Sequence, residues 1–259
     1  MGIRLGWLLG GVLCAQVAQA QWSATITGTT DYDFRGASQT SGDEALQGSV
    51  DFESGLFYGS LWGSNVDFGD DVDGSIEIDL SAGLAGETER GIDWDVGAVY
   101  YFYPGSNEDV QNETEALAEY GEFYAGGGYG PVQARLWWSP SYLDESETAY
   151  YAEINAAVDL PADFVFNLHY GYSFGDYFDE LENALGNPES DIFDPDFDGD
   201  DAEYADISFG VARAFGRVDT ELKVVTTNTD DYFEVDRGPG RNDTRVIFSI
   251  GTTFPWSDE

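Results

Sequence analysis

The sequence predicts an all-β protein, an antiparallel transmembrane β-barrel of about twelve strands with short periplasmic turns and long acidic extracellular loops. Three observations support this fold class. The chain begins with an export signal, its apolar residues recur at every second position, and its short and long connections alternate along the chain. Together they favour a membrane barrel over a soluble sheet protein.

The first 20 residues have the features of a secretory signal peptide. Arg4 precedes a mostly apolar stretch, and Ala18-Gln19-Ala20 forms a small-x-small cleavage site. Cys14 lies in this stretch, but the residue before it is larger than a lipoprotein signal requires, so we do not expect a lipid anchor. We therefore expect cleavage after residue 20, with residues 21–259 forming the barrel as one domain.

Charge and composition narrow the classes of function. The chain has 50 acidic and 10 basic residues and a formal net charge of −40, so repulsion from phosphates excludes nucleic acid as a partner. Its single cysteine precedes the expected cleavage site, which excludes a disulfide framework in the exported chain. The aromatic content of 15% favours strands. The acidic surface is expected to attract cations.

Residues 164–174 show the strand pattern most clearly. Bulky apolar side chains occupy the even positions, while Asn167, His169 and Ser173 occupy odd positions. Because side chains alternate between the two faces of a strand, one face of this segment is oily and the other is polar. The same alternation predicts twelve strands, over 22–35, 45–53, 57–64, 76–84, 92–102, 117–129, 132–138, 150–158, 164–174, 203–215, 218–224 and 245–254.

The connections between these strands alternate in length from one end of the chain to the other. An outer-membrane barrel has short periplasmic turns and long external loops, and an even strand number leaves both termini in the periplasm. The long connections also hold more than half of the 50 acidic residues. The short connections are 54–56, 86–91, 129–131, 159–163 and 216–217, and the long ones are 37–44, 65–74, 104–116, 140–147, 175–202 and 228–243.

The oily strand faces are expected to meet lipid, although alternation alone is equally compatible with a soluble periplasmic β-sandwich. In a barrel, aromatic residues near the strand ends form girdles at the two membrane interfaces. The aromatic residues at such positions are Trp22, Phe34, Trp62, Phe102, Tyr103, Trp137, Trp138, Phe174, Phe254 and Trp256.

Several stretches resemble landmarks of the TorF-family porins, also known as the Gcw_chp outer-membrane proteins of proteobacteria. The resemblance extends from about residue 21 to residue 254, and it implies an outer-membrane β-barrel with a channel role but no particular substrate. The stretches that carry it are TTDYDFRGASQT (29–40), GLFYGSLWGSNVDFG (55–69), VGAVYYFYPGS (96–106), AEYGEFYAGGGYG (118–130) and DFVFNLHYGYSF (163–174).

The polar strand faces are expected to line the lumen. An acidic lumen favours cations over anions, and the few basic residues are expected to form ion pairs that narrow or close it. Barrels of about this size lie between small barrels with filled interiors and large open porins. The predicted lumen-lining residues are Asp31, Asp33, Arg35, Asp51, Glu77, Asp79, Asp93, Asp95, Arg135, Glu153, His169, Asp219, Glu221, Lys223 and Arg245.

The loop sequence DPDFDGDD resembles the start of a calcium-binding loop. Its carboxylates are Asp194, Asp196, Asp198 and Asp200, but the position that requires a bidentate glutamate is Ala205. We expect no tightly bound cofactor. Weak Ca²⁺ or Mg²⁺ binding at the acidic loops, bridging to lipopolysaccharide, remains open beside the alternative of a solvated acidic loop.

His169 is the single histidine and the one candidate for a catalytic base. A serine hydrolase would place a nucleophile beside it, yet the sequence has no G-x-S-x-G elbow. We therefore interpret His169 as a strand or lumen residue and expect no enzymatic activity, with a barrel enzyme using His169 as an alternative.

The expected function is a porin-like outer-membrane channel for passive diffusion of small solutes, with a preference for cations. The expected partners are outer-membrane lipid, lipopolysaccharide and the solutes or cations themselves. The first alternative is a non-conducting barrel whose acidic loops bind divalent cations or lipopolysaccharide.

Overall fold

The computed structural model describes residues 20–68, 72–106, 115–116, 119–144, 146–188, 190, 202–228 and 244–255. Within these residues, twelve strands form one closed antiparallel barrel, and the first strand pairs with the last. The predicted fold class is therefore confirmed, and a two-sheet sandwich is excluded. Most of the expected signal peptide lies outside the described residues. No helix in the described part of the chain is long and apolar enough to cross a bilayer.

The barrel strands are 8 to 12 residues long. They are Gln21–Thr29 (β1), Ala45–Ser54 (β4), Phe57–Asn65 (β5), Ile76–Glu87 (β7), Ile92–Phe102 (β8), Tyr120–Tyr129 (β10), Val132–Ser139 (β11), Ala149–Leu160 (β12), Phe164–Phe174 (β13), Tyr204–Phe215 (β14), Val218–Thr227 (β15) and Arg245–Phe254 (β16).

Smaller elements lie in the connections. The short strands are Asp33–Phe34 (β2), Ala37–Ser38 (β3), Val72–Asp73 (β6) and Glu115–Ala116 (β9), and single 3-10 turns cover Tyr142–Asp144 and Pro161–Asp163. The connection expected as a loop over 175–202 contains a helix, Asp176–Leu185 (α1). This helix buries Phe178 against Tyr142 and Tyr204 beside the barrel rim.

The apolar side of each strand faces outward. On β7, Ile76 and Leu80 are exposed, whereas Glu77 and Asp79 between them are buried. This arrangement is the reverse of that in a soluble protein, where apolar side chains are buried and charged ones exposed. It recurs around the barrel, where leucine, isoleucine, valine and phenylalanine side chains form the outer surface. This arrangement places the hydrophobic belt where a bilayer would surround it.

The two ends of the barrel differ as the sequence predicts. One end, the short-turn end, carries the connections 55–56, 88–91, 130–131, 161–163 and 216–217, together with the beginning of β1. The opposite end, the long-loop end, carries all the longer connections. Gly55 and Gly216 both have φ of 65° in their tight turns, a conformation that glycine adopts without steric cost.

Candidate functional site: the barrel interior

The strand pattern places twelve of the sequence-derived lumen residues on the inward faces. Each alternates with outward-facing apolar neighbours on its strand, and their burial and hydrogen bonds agree with this placement. These residues are Asp51, Glu77, Asp79, Asp93, Asp95, Arg135, Glu153, His169, Asp219, Glu221, Lys223 and Arg245.

The other three, Asp31, Asp33 and Arg35, lie in the interior but not on the first strand, so the prediction of a strand over 22–35 is wrong. Strand β1 ends at Thr29. The chain then forms a small β2–β3 hairpin around a two-residue turn. The turn residues have φ of 50° at Arg35 and 83° at Gly36, the positive values that type I′ hairpin turns require. We call residues 30–40 the inner hairpin.

Contacts on several sides of the barrel show that the inner hairpin lies across the interior. The Tyr32 hydroxyl donates a hydrogen bond to Glu77 on β7 at 2.8 Å. The Phe34 ring packs on Tyr101 of β8, with 5.8 Å between ring centroids. Gly36 lies against Asp206 of β14. Strands β7 and β14 are far apart in the barrel order, so the segment that links them fills the space between.

Two basic residues of the wall hold the base of the inner hairpin. Arg245 on β16 donates to Asp31 at 3.0 Å, to Asp33 at 2.6 Å and to the Gly36 carbonyl at 2.7 Å. Lys223 on β15 donates to the second oxygen of Asp33 at 3.0 Å. These ion pairs are largely buried, so each charge depends on its partner for compensation.

The Arg35 side chain, at the turn of the hairpin, reaches the opposite side of the barrel. Arg35 forms a bidentate ion pair with Glu122 of β10, with Nη–Oε distances of 2.9 Å and 2.6 Å. Its guanidinium carbon lies 4.3 Å from the Tyr151 ring centroid and 5.7 Å from that of Trp137. Charge pairing and stacking on aromatic faces therefore act together at one side chain.

Aromatic side chains fill the interior around the hairpin in the long-loop half. Tyr32 packs on Trp62 at 5.3 Å, and Tyr101 stacks on Tyr120 at 4.6 Å between centroids. The interior of this half is a packed aromatic core rather than open space.

The expected aromatic girdles are only partly present. Trp22, Phe102 and Trp138 are exposed on the outer surface. Four other side chains pack in the barrel interior, so their assignment to girdles is wrong. These are Phe34, Trp62, Tyr103 and Trp137.

The short-turn half of the interior is polar. Arg135 pairs with Asp95 at 2.6 Å, and Asn167 donates to Glu221 at 2.7 Å. In the described part of the chain, no ion pair involves Asp51, Asp93, Asp219 or Glu221.

His169 lies in a hydrogen-bonded cluster on the wall. Its Nε2 is 2.7 Å from Asp206 and 2.9 Å from the Tyr151 hydroxyl, and its Nδ1 is 2.7 Å from Asn155. No serine is among its partners in the residues that the structure describes. This geometry orients the ring, and the hydroxyl beside it is that of Tyr151, whereas a serine hydrolase would use a serine.

The calcium-like loop with Asp194, Asp196, Asp198 and Asp200 lies outside the described residues. Among the side chains that are described, no group of three or more histidine, cysteine, aspartate or glutamate residues is arranged to hold a metal ion.

Two interior residues were missed by the sequence analysis. Glu122 binds Arg35, and Asp206 binds both His169 and Tyr151. Both residues lie within predicted strands, on the polar parity of β10 and β14. Parity would have identified them, but the many glycines near Glu122 and the acidic residues before Asp206 weakened the alternation there.

The barrel is similar to solved outer-membrane porins. The NanC porin matches with a TM-score of 0.50 and 7% identity, over 90% of this chain and 100% of that one. The KdgM porin matches with a TM-score of 0.49 and 6% identity, over 91% and 99%. The outer membrane channel DcaP of Acinetobacter baumannii matches with a TM-score of 0.43 and 10% identity, over 95% and 100%. At such identities the likeness to NanC shows the fold alone.

Sequence comparison defines the family. No curated protein matches the chain significantly. A family model described as a bacterial protein of unknown function, Gcw_chp, matches residues 15–187, about two thirds of the sequence. The Gcw_chp part of the resemblance is thus confirmed, while the TorF designation stays a prediction. The chain belongs to the Gcw_chp family of bacterial proteins.

Proposed function

We propose that this protein is an outer-membrane channel through which small solutes diffuse passively, with a preference for cations. The observation that carries the proposal is the closed barrel whose outer face is apolar and whose inner wall bears carboxylates that form no ion pair with another described residue. In this orientation the short-turn end faces the periplasm and the long loops face outside.

Cation preference follows from the interior charges of the short-turn half. Asp51 on β4, Asp93 on β8, and Asp219 and Glu221 on β15 face the interior. Inside a low-dielectric wall, such carboxylates raise the local concentration of cations and repel anions. No step of this mechanism requires catalysis, and His169 would act only as a wall residue.

The inner hairpin supports a second candidate, a barrel that does not conduct. The aromatic core and the hairpin occupy the long-loop half of the interior, so conduction requires either a path beside the hairpin or its displacement. If neither exists, the acidic long loops would carry the function by binding divalent cations or lipopolysaccharide at the cell surface.

Single-channel recording across a KCl gradient tests the channel. We expect discrete conductance steps with a reversal potential on the cation-selective side. Asp51→Asn combined with Asp219→Asn should move the reversal potential towards zero, because it removes two interior charges. Glu89→Gln, in an exposed short turn, is the matched control and should leave the reversal potential unchanged.

Complete absence of current from correctly folded protein in the bilayer would favour the non-conducting barrel. Conductance with equal permeability to K⁺ and Cl⁻ would retain the channel and reject the cation preference.

A further inference from the structure

The pocket that holds the Arg35 guanidinium is built by the barrel wall. Glu122 lies on β10, Tyr101 on β8, Trp137 on β11 and Tyr151 on β12, and these four strands are adjacent in the barrel. The inner hairpin supplies the guanidinium itself. The wall thus forms a pocket, and a side chain of the same protein occupies it.

The geometry of this pocket matches a planar, forked cation. Both oxygens of Glu122 accept from separate nitrogens of Arg35, at 2.9 Å and 2.6 Å. The Tyr101 hydroxyl donates to Glu122 at 2.9 Å and fixes the carboxylate. The Tyr151 and Trp137 rings lie against the guanidinium. A fork of this kind distinguishes guanidinium from ammonium or an alkali ion, which act as point charges.

Other wall residues hold the pocket in shape without help from the hairpin. The Trp137 indole donates to Glu153 at 2.8 Å, and the Tyr151 hydroxyl donates to Asp206 at 2.9 Å. The Glu122 side chain is only 1% exposed. Without a cation, this carboxylate would be a buried charge, and the Tyr101 hydroxyl would be its one remaining hydrogen-bond partner among the described residues, which is unfavourable.

We propose that the pocket formed by Glu122, Tyr101, Trp137 and Tyr151 is a binding site for guanidinium-type organic cations, with Arg35 as its resident ligand. The consequence for transport rests on the proposed channel function: a solute carrying a guanidinium group would compete with Arg35 as it passes the hairpin. The binding site itself does not depend on conduction.

Guanidinium ion is the probe for this site in the Arg35→Ala protein. The variant is refolded in detergent, and its unfolding midpoint and refolding yield are followed by heat-dependent gel migration. Millimolar guanidinium chloride, far below denaturing concentrations, should raise both quantities. Ammonium and sodium chloride at the same concentration should have a smaller effect. The double variant Arg35→Ala, Glu122→Gln is the control, and guanidinium should not stabilise it.

Each outcome decides the proposal. Stabilisation that is specific to guanidinium and requires Glu122 supports the site. It is overturned if sodium acts equally, if the effect persists in the double variant, or if Arg35→Ala fails to refold with guanidinium while the double variant folds. A protein that binds guanidinium but never conducts would retain the site and reject the channel.

Discussion

Arg245 and Arg135 show how burial determines the strength of an ion pair inside this barrel. The side chains of Arg245 and its partners Asp31 and Asp33 are 6–9% exposed. Arg135 and its partner Asp95 are 18% and 22% exposed, so water can replace part of that interaction. Removing one member of a buried pair leaves an uncompensated charge, which is much less favourable than losing a hydrated pair.

We therefore expect Arg245→Ala to lower the free energy of unfolding by about 3–5 kcal/mol, because the buried Asp31 loses its cation and Asp33 keeps only Lys223. Arg135→Ala is the matched comparison and should cost about 1 kcal/mol. Urea titration of each protein in detergent, followed by intrinsic fluorescence, gives both values. Equal losses for the two variants would show that the base of the inner hairpin is not desolvated.

At this scale the sequence identifies types of residue better than their partners. Strand parity places Asp95 and Arg135 on the same polar face, but nothing in the sequence pairs Arg35 with Glu122, which is 87 positions away. Such pairs are set by the closure of the barrel and by the path of the hairpin. Neither is encoded in the local pattern of residues.

Among the elements, the inner hairpin is the one that alternation describes incorrectly. Tyr32 and Phe34 continue the apolar parity of β1, so the pattern suggests one long strand. Strand β1 instead ends at Thr29, and the chain reverses direction at Arg35 and Gly36, which adopt positive φ. Period-two alternation cannot report such a turn. The local signal that favours a hairpin here is the type of residue at the turn, with glycine at its second position.

Adjacent strands fit closely where tyrosines lie over glycines. An added Cβ at Gly97 on β8 would lie 2.5 Å from the Tyr124 hydroxyl and 2.8 Å from the Ala82 carbonyl oxygen. On the next strand, a Cβ at Gly121 would meet nothing nearer than 3.5 Å. The two glycines therefore differ in the space available although they lie on paired strands.

Gly97→Ala should lower the free energy of unfolding by about 1–3 kcal/mol, because Tyr124 must move and overpacking carries this cost. Gly121→Ala, the control, should change it by no more than about 0.5 kcal/mol. Urea midpoints of the two variants make the comparison. A neutral Gly97→Ala would mean that the Tyr124 ring does not lie over this glycine.

For the whole molecule, the alternation of strands and connections predicted the number of strands, the closed barrel and the two unlike ends. It predicted these features because each depends on patterns that repeat many times along the chain. Occupation of the interior depends on a single segment, residues 30–40, and has no such redundancy. The acidic character of the interior follows from the composition. The packing of the inner hairpin and aromatic side chains into the long-loop half is evident only from the structure.

A membrane barrel requires that outward side chains meet lipid while their immediate neighbours in sequence are enclosed. Trp137 and Trp138 test this requirement because they are adjacent on β11 and face opposite sides: Trp137 is buried, and Trp138 is exposed.

The most direct measurement is the quenching of tryptophan fluorescence by brominated lipids in reconstituted vesicles. It compares the wild-type protein with the variants Trp138→Phe and Trp137→Phe. We expect Trp138→Phe to reduce the quenched part of the fluorescence and Trp137→Phe to leave it unchanged. Equal reductions in the two variants, or the opposite order, would contradict a barrel whose oily faces contact acyl chains.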